Sequence, residues 1–471
     1  MRAWTEWLLS DVGRPKPCFT QSLLRPLFKN EKGAFYGPKH KEMPKKKFTF
    51  IDLFAGAGGL SEGFVRAGFT PIAHIEMDKY ACETLKTRAA YHYLEESGKL
   101  DIYKKYLLEK KEGESGQKLW NQVPTTIIDS VIHATIGSST IDDIFQRVDN
   151  LKWDNSVDLI IGGPPCQAYS IVGRSRMGKD VEKDPRNELY KYYVRFLERY
   201  TPKMFVLENV LGIVTAKKGE PLKDLKELVD GIGYEMQMHV QNASEHGVLQ
   251  KRQRVIIVGW RKDSTTSKGQ KRFYPILEKE SNTYCVMKDL FSDLPERKAG
   301  EGSLTAAVHY SKELNDMPYL RESAIRNHNF DFTTQHIARP HNANDREIYC
   351  MAIKQWKEKR KQLDYSKLPV HLQTHKNTKS FLDRYSVVDP NGYSHTVVAH
   401  ISKDGHYYIY PTPNPTVENV RSITVREAAR LQSFPDDYYF EGSRGAAFKQ
   451  IGNAVPVVLA YKIAKEILKQ M

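Results

Sequence analysis

Cysteine is scarce in this chain, and it never falls into a metal-binding pattern. Cys18, Cys82, Cys166, Cys285 and Cys350 are scattered, odd in number and free of CxxC pairs. That excludes a disulfide framework and a zinc site, and it suits a reducing cytosol. No apolar run approaches the length of a membrane span. The amino-terminal MRAWTEWLLSDVGRPK lacks a signal peptide's charged start and continuous apolar stretch, so the expectation is a cytoplasmic chain without a membrane partner. Also missing is GxGxxG, the loop that grips a dinucleotide pyrophosphate, which disfavours a nicotinamide dehydrogenase. Acidic residues are in deficit. Asp and Glu number 57 against 71 Lys and Arg, a formal net charge of +14 that favours a polyanionic partner.

What is present is ordinary in bulk and informative in detail. A hydrophobic content of 40% and a charged content of 27% over 471 residues describe a globular protein of two or three domains. Residues 1–47 are a basic leader that ends in Lys45, Lys46 and Lys47. Its weak periodicity makes it an arm or an appended helix, and a DNA contact and a solvated tail both stay open as its role.

FTFIDLFAGAGGLSEGFVRAGF (Phe48 to Phe69) reads as strand, glycine-rich turn and amphipathic helix. Gly56, Gly58 and Gly59 let the backbone approach a ligand closely and open a helix near Leu60. PIAHIEMD (Pro71 to Asp78) is a second strand with Glu76 at its carboxyl end, where an acid commonly accepts hydrogen bonds from ribose hydroxyls. Together these suggest a nucleoside cofactor without a pyrophosphate. The chain is then polar to about Ser156, with Leu94 to Trp120 reading as exposed helix. STIDDIFQ (Ser139 to Gln146) offers Asp142 or Asp143 as a cap or cofactor contact.

The centre of the sequence is GGPPCQAYS, Gly162 to Ser170. VDLIIGG just before it is a buried strand, and Pro164 and Pro165 stiffen the path out of that strand. Cys166 is thereby held at a strand end, the place where open α/β sheets bind ligands, and is a candidate nucleophile. GRSRMGKDVEKDPRNEL (Gly173 to Leu189) reads as a charged loop able to swing, followed by a helix to Lys203. PKMFVLENV is a further strand ending in Glu208 and Asn209, where a carboxylate is costly unless it is paired or does chemistry. HGVLQKRQRVIIVGW places Gln250, Arg252 and Arg254 before another strand. Residues 52 to 260 thus alternate strand and helix, which predicts a doubly wound parallel sheet.

The rhythm stops after Trp260, and residues 261–395 read as a second, irregular domain. SHTVVAHISKDGHYYIYP (Ser394 to Pro411) predicts two strands flanking Lys403 to Gly405. RSITVREAARLQSFPD (Arg421 to Asp436) predicts a helix capped by Thr424 and ended by Pro435. QIGNAVPVVLAYKIAKEIL (Gln450 to Leu468) predicts a final amphipathic helix. These helices need a sheet to pack on, so residues 396–471 are expected to return to the first domain, 48–260, and the second domain becomes an insertion.

The ordered set DLFAGAGGL, GGPPCQAYS, ENV, QKRQR, TVREAARLQSFPD and QIGNAVP resembles the DNA cytosine-5 methyltransferase family, of the bacterial restriction-modification type. The resemblance spans residues 52 to 471 but leaves the leader and the 261–395 insertion uncovered. It implies an α/β, Rossmann-like S-adenosylmethionine-dependent methyltransferase domain with an inserted small, irregular target-recognition domain. It also implies a last helix that packs beside the cofactor loop. Cys166 would add to carbon 6 of a flipped-out cytosine, with Glu208 at ring nitrogen 3, Arg254 on the base carbonyl and Arg252 as the neighbouring active-site arginine. Phe54, Gly56 and Gly59 would line the methionine end of S-adenosyl-L-methionine. Glu76 would hold the ribose, Met77 the place of the aromatic that often stacks on adenine, and Asp143 with Ile144 the adenine. Pro165, Leu189, Asn453 and Val455 would complete the cofactor pocket. No metal is implied. The partner would be double-stranded DNA, bound by a monomer that works beside an independently acting restriction endonuclease. A tRNA cytosine-5 methyltransferase shares these motifs and stays open as a second reading. A non-catalytic nucleic-acid-binding protein on the same fold is a third.

Overall fold

Short runs rich in Ile, Val, Leu and Phe, each closed by a polar or glycine-rich turn, build the sheet that positions the site. The computed structural model describes residues 47–165, 188–266, 268–280, 283–375, 377 and 379–471. Its strands are β1 (Thr49–Leu53), β2 (Thr70–Glu76), β3 (Val131–His133), β4 (Leu159–Gly162), β5 (Met204–Asn209), β6 (Tyr234–Asn242), β7 (Gln250–Lys251) and β8 (Gln253–Arg261). Seven of them form one sheet in the order β3-β2-β1-β4-β5-β8-β6. The first five are mutually parallel, whereas β8 runs antiparallel to both β5 and β6. The wholly parallel sheet expected from the sequence is corrected here. Residues 243–252, which join β6 to β8, hold a single 3-10 turn, Ala243–His246, and the two-residue β7, but no crossover helix that could carry the chain back for a parallel strand.

The longer helices are α1 (Gly59–Arg66), α2 (Lys79–Glu96), α3 (Leu100–Glu109), α4 (Ile141–Lys152), α5 (Leu189–Tyr200), α6 (Glu220–Gly231), α7 (Ala343–Lys359), α8 (Val425–Leu431), α9 (Arg444–Asn453) and α10 (Val457–Leu468). Alternate strand residues feed the two faces of the sheet. Phe50, Leu159, Ile161, Val206 and Ile256 pack with Leu60 and Phe64 of α1 and with Leu459, Ile463 and Ile467 of α10. Ile51, Leu53, Ile160, Leu207 and Ile257 pack with α4, α5 and α6 through Val148, Leu197 and Leu225. The final helix therefore joins the first, as expected. Their approach is close because Gly63 has no side chain: a Cβ there would lie 2.4 Å from the Ala460 Cβ.

Other expectations are corrected locally. Leu94 to Trp120 is not one exposed helix. It breaks after Glu96 and buries Tyr103, Leu107 and Trp120 in a separate cluster with Phe330 and Phe332. The hairpin around Lys403 to Gly405 does not form. Only β9 (Ser394–His395) is strand, and it pairs in parallel with β7. The Tyr408 hydroxyl takes the Val398 N–H at 2.9 Å and donates to the Thr396 carbonyl at 3.0 Å, which turns the chain inward instead. The terminal helix is two helices, because Pro456 interrupts the run between α9 and α10. Thr424 caps α8 as predicted, in a capping box with Glu427, but the helix ends at Leu431, before Pro435. The predicted swinging loop, Gly173 to Leu189, lies outside the described residues except at its last two positions.

Residues 348–420 hold a small core of their own, built on Tyr349 and Ile353 of α7 with Leu363, Tyr365, Tyr385 and Val387. Buried ion pairs join the segment around Asp293 to α8. Arg430 meets Asp293 at 2.5 Å and Asp436 at 2.6 Å, and Arg326 meets Asp293 at 2.7 Å. Removing one member would strand a buried charge.

Two consequences are measurable. Gly63→Ala must push α10 off α1, and should lower the unfolding free energy by about 1–3 kcal/mol in chemical denaturation; an unchanged midpoint would contradict this packing. His74 bonds the Ser61 hydroxyl at 2.8 Å, and His336 lies between Thr424 and the Pro295 carbonyl. Burial pushes both imidazoles down to about 4. Both are neutral at pH 7 in folded and unfolded chains alike. As pH falls below about 6.5, the unfolded chain takes up protons that the folded chain refuses, until about pH 4. Unfolding free energy measured from pH 6.5 to 4 should therefore decline; a flat profile would refute the assignment.

Candidate active site

The carboxyl ends of the parallel strands collect most of the residues singled out in the sequence, as open α/β sheets do. β5 delivers Glu208 and β8 delivers Arg254. Because β8 is antiparallel, with Glu208 opposite Ile256 and Asn209 opposite Val255, the arginine falls beside the carboxylate. Arg254 Nε lies 2.7 Å from Glu208 Oε1, and both side chains are mostly buried, 12% and 13% exposed. The other carboxylate oxygen faces Gly163, where a Cβ would come within 2.9 Å of it. Asn209 Nδ2 donates to the Pro164 carbonyl at 3.4 Å and so ties the two prolines to the end of β5. Pro165 is half-buried beside this pair, and Cys166, the next residue, lies outside the described residues. Leu189 opens α5 and is half-buried.

At the same edge of the sheet, the loop after β1 leaves a recess at Gly56, where a Cβ would meet nothing within 4 Å. Phe54 is held at φ 58, an uncommon value for a bulky residue. Gly56, at φ 55, has open space where a Cβ would stand, and its N–H donates to Glu76 Oε2 at 2.8 Å. The second Glu76 oxygen accepts the Asp78 N–H at 2.7 Å, so two backbone amides orient this carboxylate. Met77 is 61% exposed at the rim. Asp142 and Asp143 both stand exposed in the first turn of α4, and the side chain of Ile144 is buried in the core. Asn453 is exposed and Val455 buried where α9 gives way to α10.

Two sequence-predicted residues serve closure instead of facing the recess. Gly59 is needed because the Val455 carbonyl would sit 2.5 Å from its Cβ. Arg252 is fully buried, and its guanidinium donates to the carbonyls of Val397 at 2.6 Å and Gly452 at 3.2 Å. One residue was missed. Asp52 in β1 is fully buried, and both its carboxylate oxygens lack a hydrogen-bond partner. Burial, and then the Glu76 carboxylate, push it well above the usual carboxylate range. An acid inside the apolar run FTFIDLF was the available signal.

The family model for the C-5 cytosine-specific DNA methylase matches residues 48–109 and 130–469. The chain belongs to the C-5 cytosine-specific DNA methylase family. It is a DNA cytosine-5 methyltransferase of the restriction-modification type. A relative from Bacillus paralicheniformis, the type II methyltransferase M.Bpa9945I, is 42% identical over 446 residues, covering 88% of this chain and 98% of its own length. The type II methyltransferase M1.HphI of Haemophilus parahaemolyticus is 30% identical, over 89% of this chain and 87% of its own length. Among solved structures, the Entamoeba histolytica methyltransferase EhMeth shares the fold at a TM-score of 0.50 with 14% identity, over 90% of this chain and 98% of that one. In this C-5 cytosine methylase, the Glu208–Arg254 pair offers a carboxylate and a guanidinium side by side, with Gly163 against the carboxylate.

Gly163→Ala tests that geometry. The new methyl group would displace the far end of the Glu208 side chain and leave the backbone in place. Methylation rate should fall on the order of 100-fold with the melting temperature little changed; normal turnover would show that the carboxylate position is unimportant.

Proposed function

We propose that this DNA cytosine-5 methyltransferase works through a transient covalent bond from Cys166 to its target base, with S-adenosylmethionine as methyl donor. The observation that supports the reading most is the Glu208–Arg254 pair, 2.7 Å apart and largely shielded from water, with Gly163 of the GGPPC segment against the carboxylate. Cytosine carbon 5 is a poor nucleophile. Addition of the Cys166 thiolate at carbon 6 pushes electron density towards it. Glu208 shares a proton with ring nitrogen 3, and Arg254 anchors the base carbonyl, so the negative charge developing on the ring is stabilised. To admit the base, the pair exchanges part of its mutual contact for contacts with the ring. Carbon 5 then takes the methyl group, its own hydrogen leaves as a proton to solvent, and the carbon 6–sulfur bond breaks with its electrons returning to sulfur, which restores the aromatic ring and frees the enzyme. The base must first leave the duplex, at a cost of a few kcal/mol.

The recess beside β1 fits the proposed cofactor. S-adenosylmethionine, when bound, supplies an electrophilic methyl group. The amino-acid end of such a donor would meet the glycine turn after β1. Open space at Gly56 admits that end, with Phe54 beside it. Glu76 retains acceptor capacity for ribose hydroxyls, and Met77, Asp143 and the backbone at Ile144 form the adenine side. Pro165, Leu189, Asn453 and Val455 border the recess, and Arg252 and Gly59 hold its walls together. Residues 261–395 act as the target-recognition domain inserted into the catalytic domain. We further infer a monomer that works in the cytoplasm, with a cognate restriction endonuclease acting independently. Among the described residues, no helix is long and apolar enough to cross a membrane.

The test is transfer of labelled methyl groups from S-adenosylmethionine to duplex DNA and, separately, to tRNA. Label should enter DNA, at carbon 5 of cytosine. Cys166→Ala should abolish transfer and keep DNA binding, and Glu208→Gln should slow it by orders of magnitude. Transfer to tRNA alone, or undiminished activity of Cys166→Ala, would overturn the reading.

A further inference from the structure

The surface leading away from the Glu208–Arg254 pair carries an aromatic ring that the catalytic reading does not use. Lys251, three residues before Arg254, accepts a hydrogen bond at its carbonyl from the Thr396 hydroxyl, 2.6 Å away. His395 beside it packs edge-on against Tyr407, ring centroids 4.4 Å apart, and the Tyr407 hydroxyl donates to Asp383 at 3.4 Å. A cavity of about 440 Å³ lies along this path, lined by residues that include Lys251, Trp356, Thr396 and Tyr407.

Beyond Tyr407 stands a short arch, whose described residues are Asn377 and 379–384. The Asn377 side-chain carbonyl accepts the N–H groups of Lys379 and Ser380, both at 3.0 Å. The Arg384 guanidinium donates to three carbonyls of the arch, those of Asn377 at 2.7 Å and of Ser380 and Phe381 at 2.9 Å. It also lies 4.1 Å from the ring centre of buried Tyr365, whose N–H bonds the Leu382 carbonyl at 2.8 Å. On this braced frame Phe381 sits at φ 54 and is 55% exposed. A strained backbone held by an arginine thus presents an apolar ring to solvent. No internal packing accounts for that presentation, and such strain commonly marks a working surface. Trp153 combines a φ of 48 with 78% exposure, but it follows α4 at the amino ends of the strands, away from the site.

We propose that Phe381 is a specificity-determining residue, an apolar contact to a base that flanks the target cytosine. The family supplies the partner, DNA, and exposed Lys379, two residues before Phe381, supplies a cation for its phosphates. A phenyl ring distinguishes bases by the thymine methyl group or by stacking on an exposed base face. The inference rests on the functional reading above.

The experiment methylates a randomised duplex library with the full-length protein and reads each modified cytosine by bisulfite sequencing. Wild type, Phe381→Ala, Phe381→Leu and Phe381→Gly are compared, and a melting temperature is taken for each. Phe381→Ala should melt like the wild type, lose about tenfold in rate at the preferred site, and relax its choice at one flanking base pair. Phe381→Leu should recover part of both. A site preference unchanged in Phe381→Ala, or a loss of rate uniform across sequences, would overturn the proposal. So would Phe381→Gly, which relieves the strain, methylating as selectively as the wild type. No methylation by the wild type itself would refute the functional reading, and this inference with it.

Discussion

A single ion pair organises the catalytic edge: Glu208 against Arg254 at 2.7 Å, on neighbouring strands that run in opposite directions. A carboxylate at a buried strand end is tolerable only with a partner. The partner arrives because β8 turns back after residues 243–252 and starts where β5 stops. In a parallel register the arginine would open the strand at the far edge of the sheet. The reversal of one strand is therefore what joins two otherwise separate motifs into one site.

Around that pair, the insertion and the carboxyl-terminal segment are locked to the sheet by buried amides and one buried guanidinium. Gln250 donates to the Leu431 carbonyl at 2.7 Å and accepts the Val397 N–H at 2.8 Å. Gln432 continues inward to the Ile451 carbonyl at 2.8 Å. Arg252 spans Val397 and Gly452. Most of these bonds run to backbone carbonyls and amides, so the polar ladder fixes where Val455 crosses Gly59. Segments near the two ends of the sheet-bearing chain meet there, through contacts distant in sequence.

Much of this was legible from residue order, and the exceptions have physical causes. β1, β2, β4 and β5 were visible because buried strands read as continuous apolar runs. Glu76 and Glu208 were legible as acids at strand ends, and the glycine turn after β1 as a place of close approach. The direction of β8 was not, since a reversal depends on the length and path of residues 243–252 and leaves no apolar signature. Tyr103 and Trp120 were hidden among Lys and Glu, whose side chains masked a buried face. Tyr408 overrode the alternation that suggested a hairpin, by offering its hydroxyl to two backbone groups. Arg252 and Arg254 looked alike in QKRQR, yet Arg252 stands at the break between β7 and β8 and turns into the core, whereas Arg254 lies within β8 beside Glu208. Asp52 was overlooked because it stands within a strand instead of at its end.

The most direct test of the account is the mass of the enzyme after incubation with S-adenosylmethionine and duplex DNA carrying 5-fluorocytosine at the methylated position. Fluorine cannot leave as a proton does, so the account predicts a stable one-to-one adduct whose digestion places the DNA on the peptide containing Cys166. Release of methylated product without any adduct, or an adduct on another residue, would contradict it.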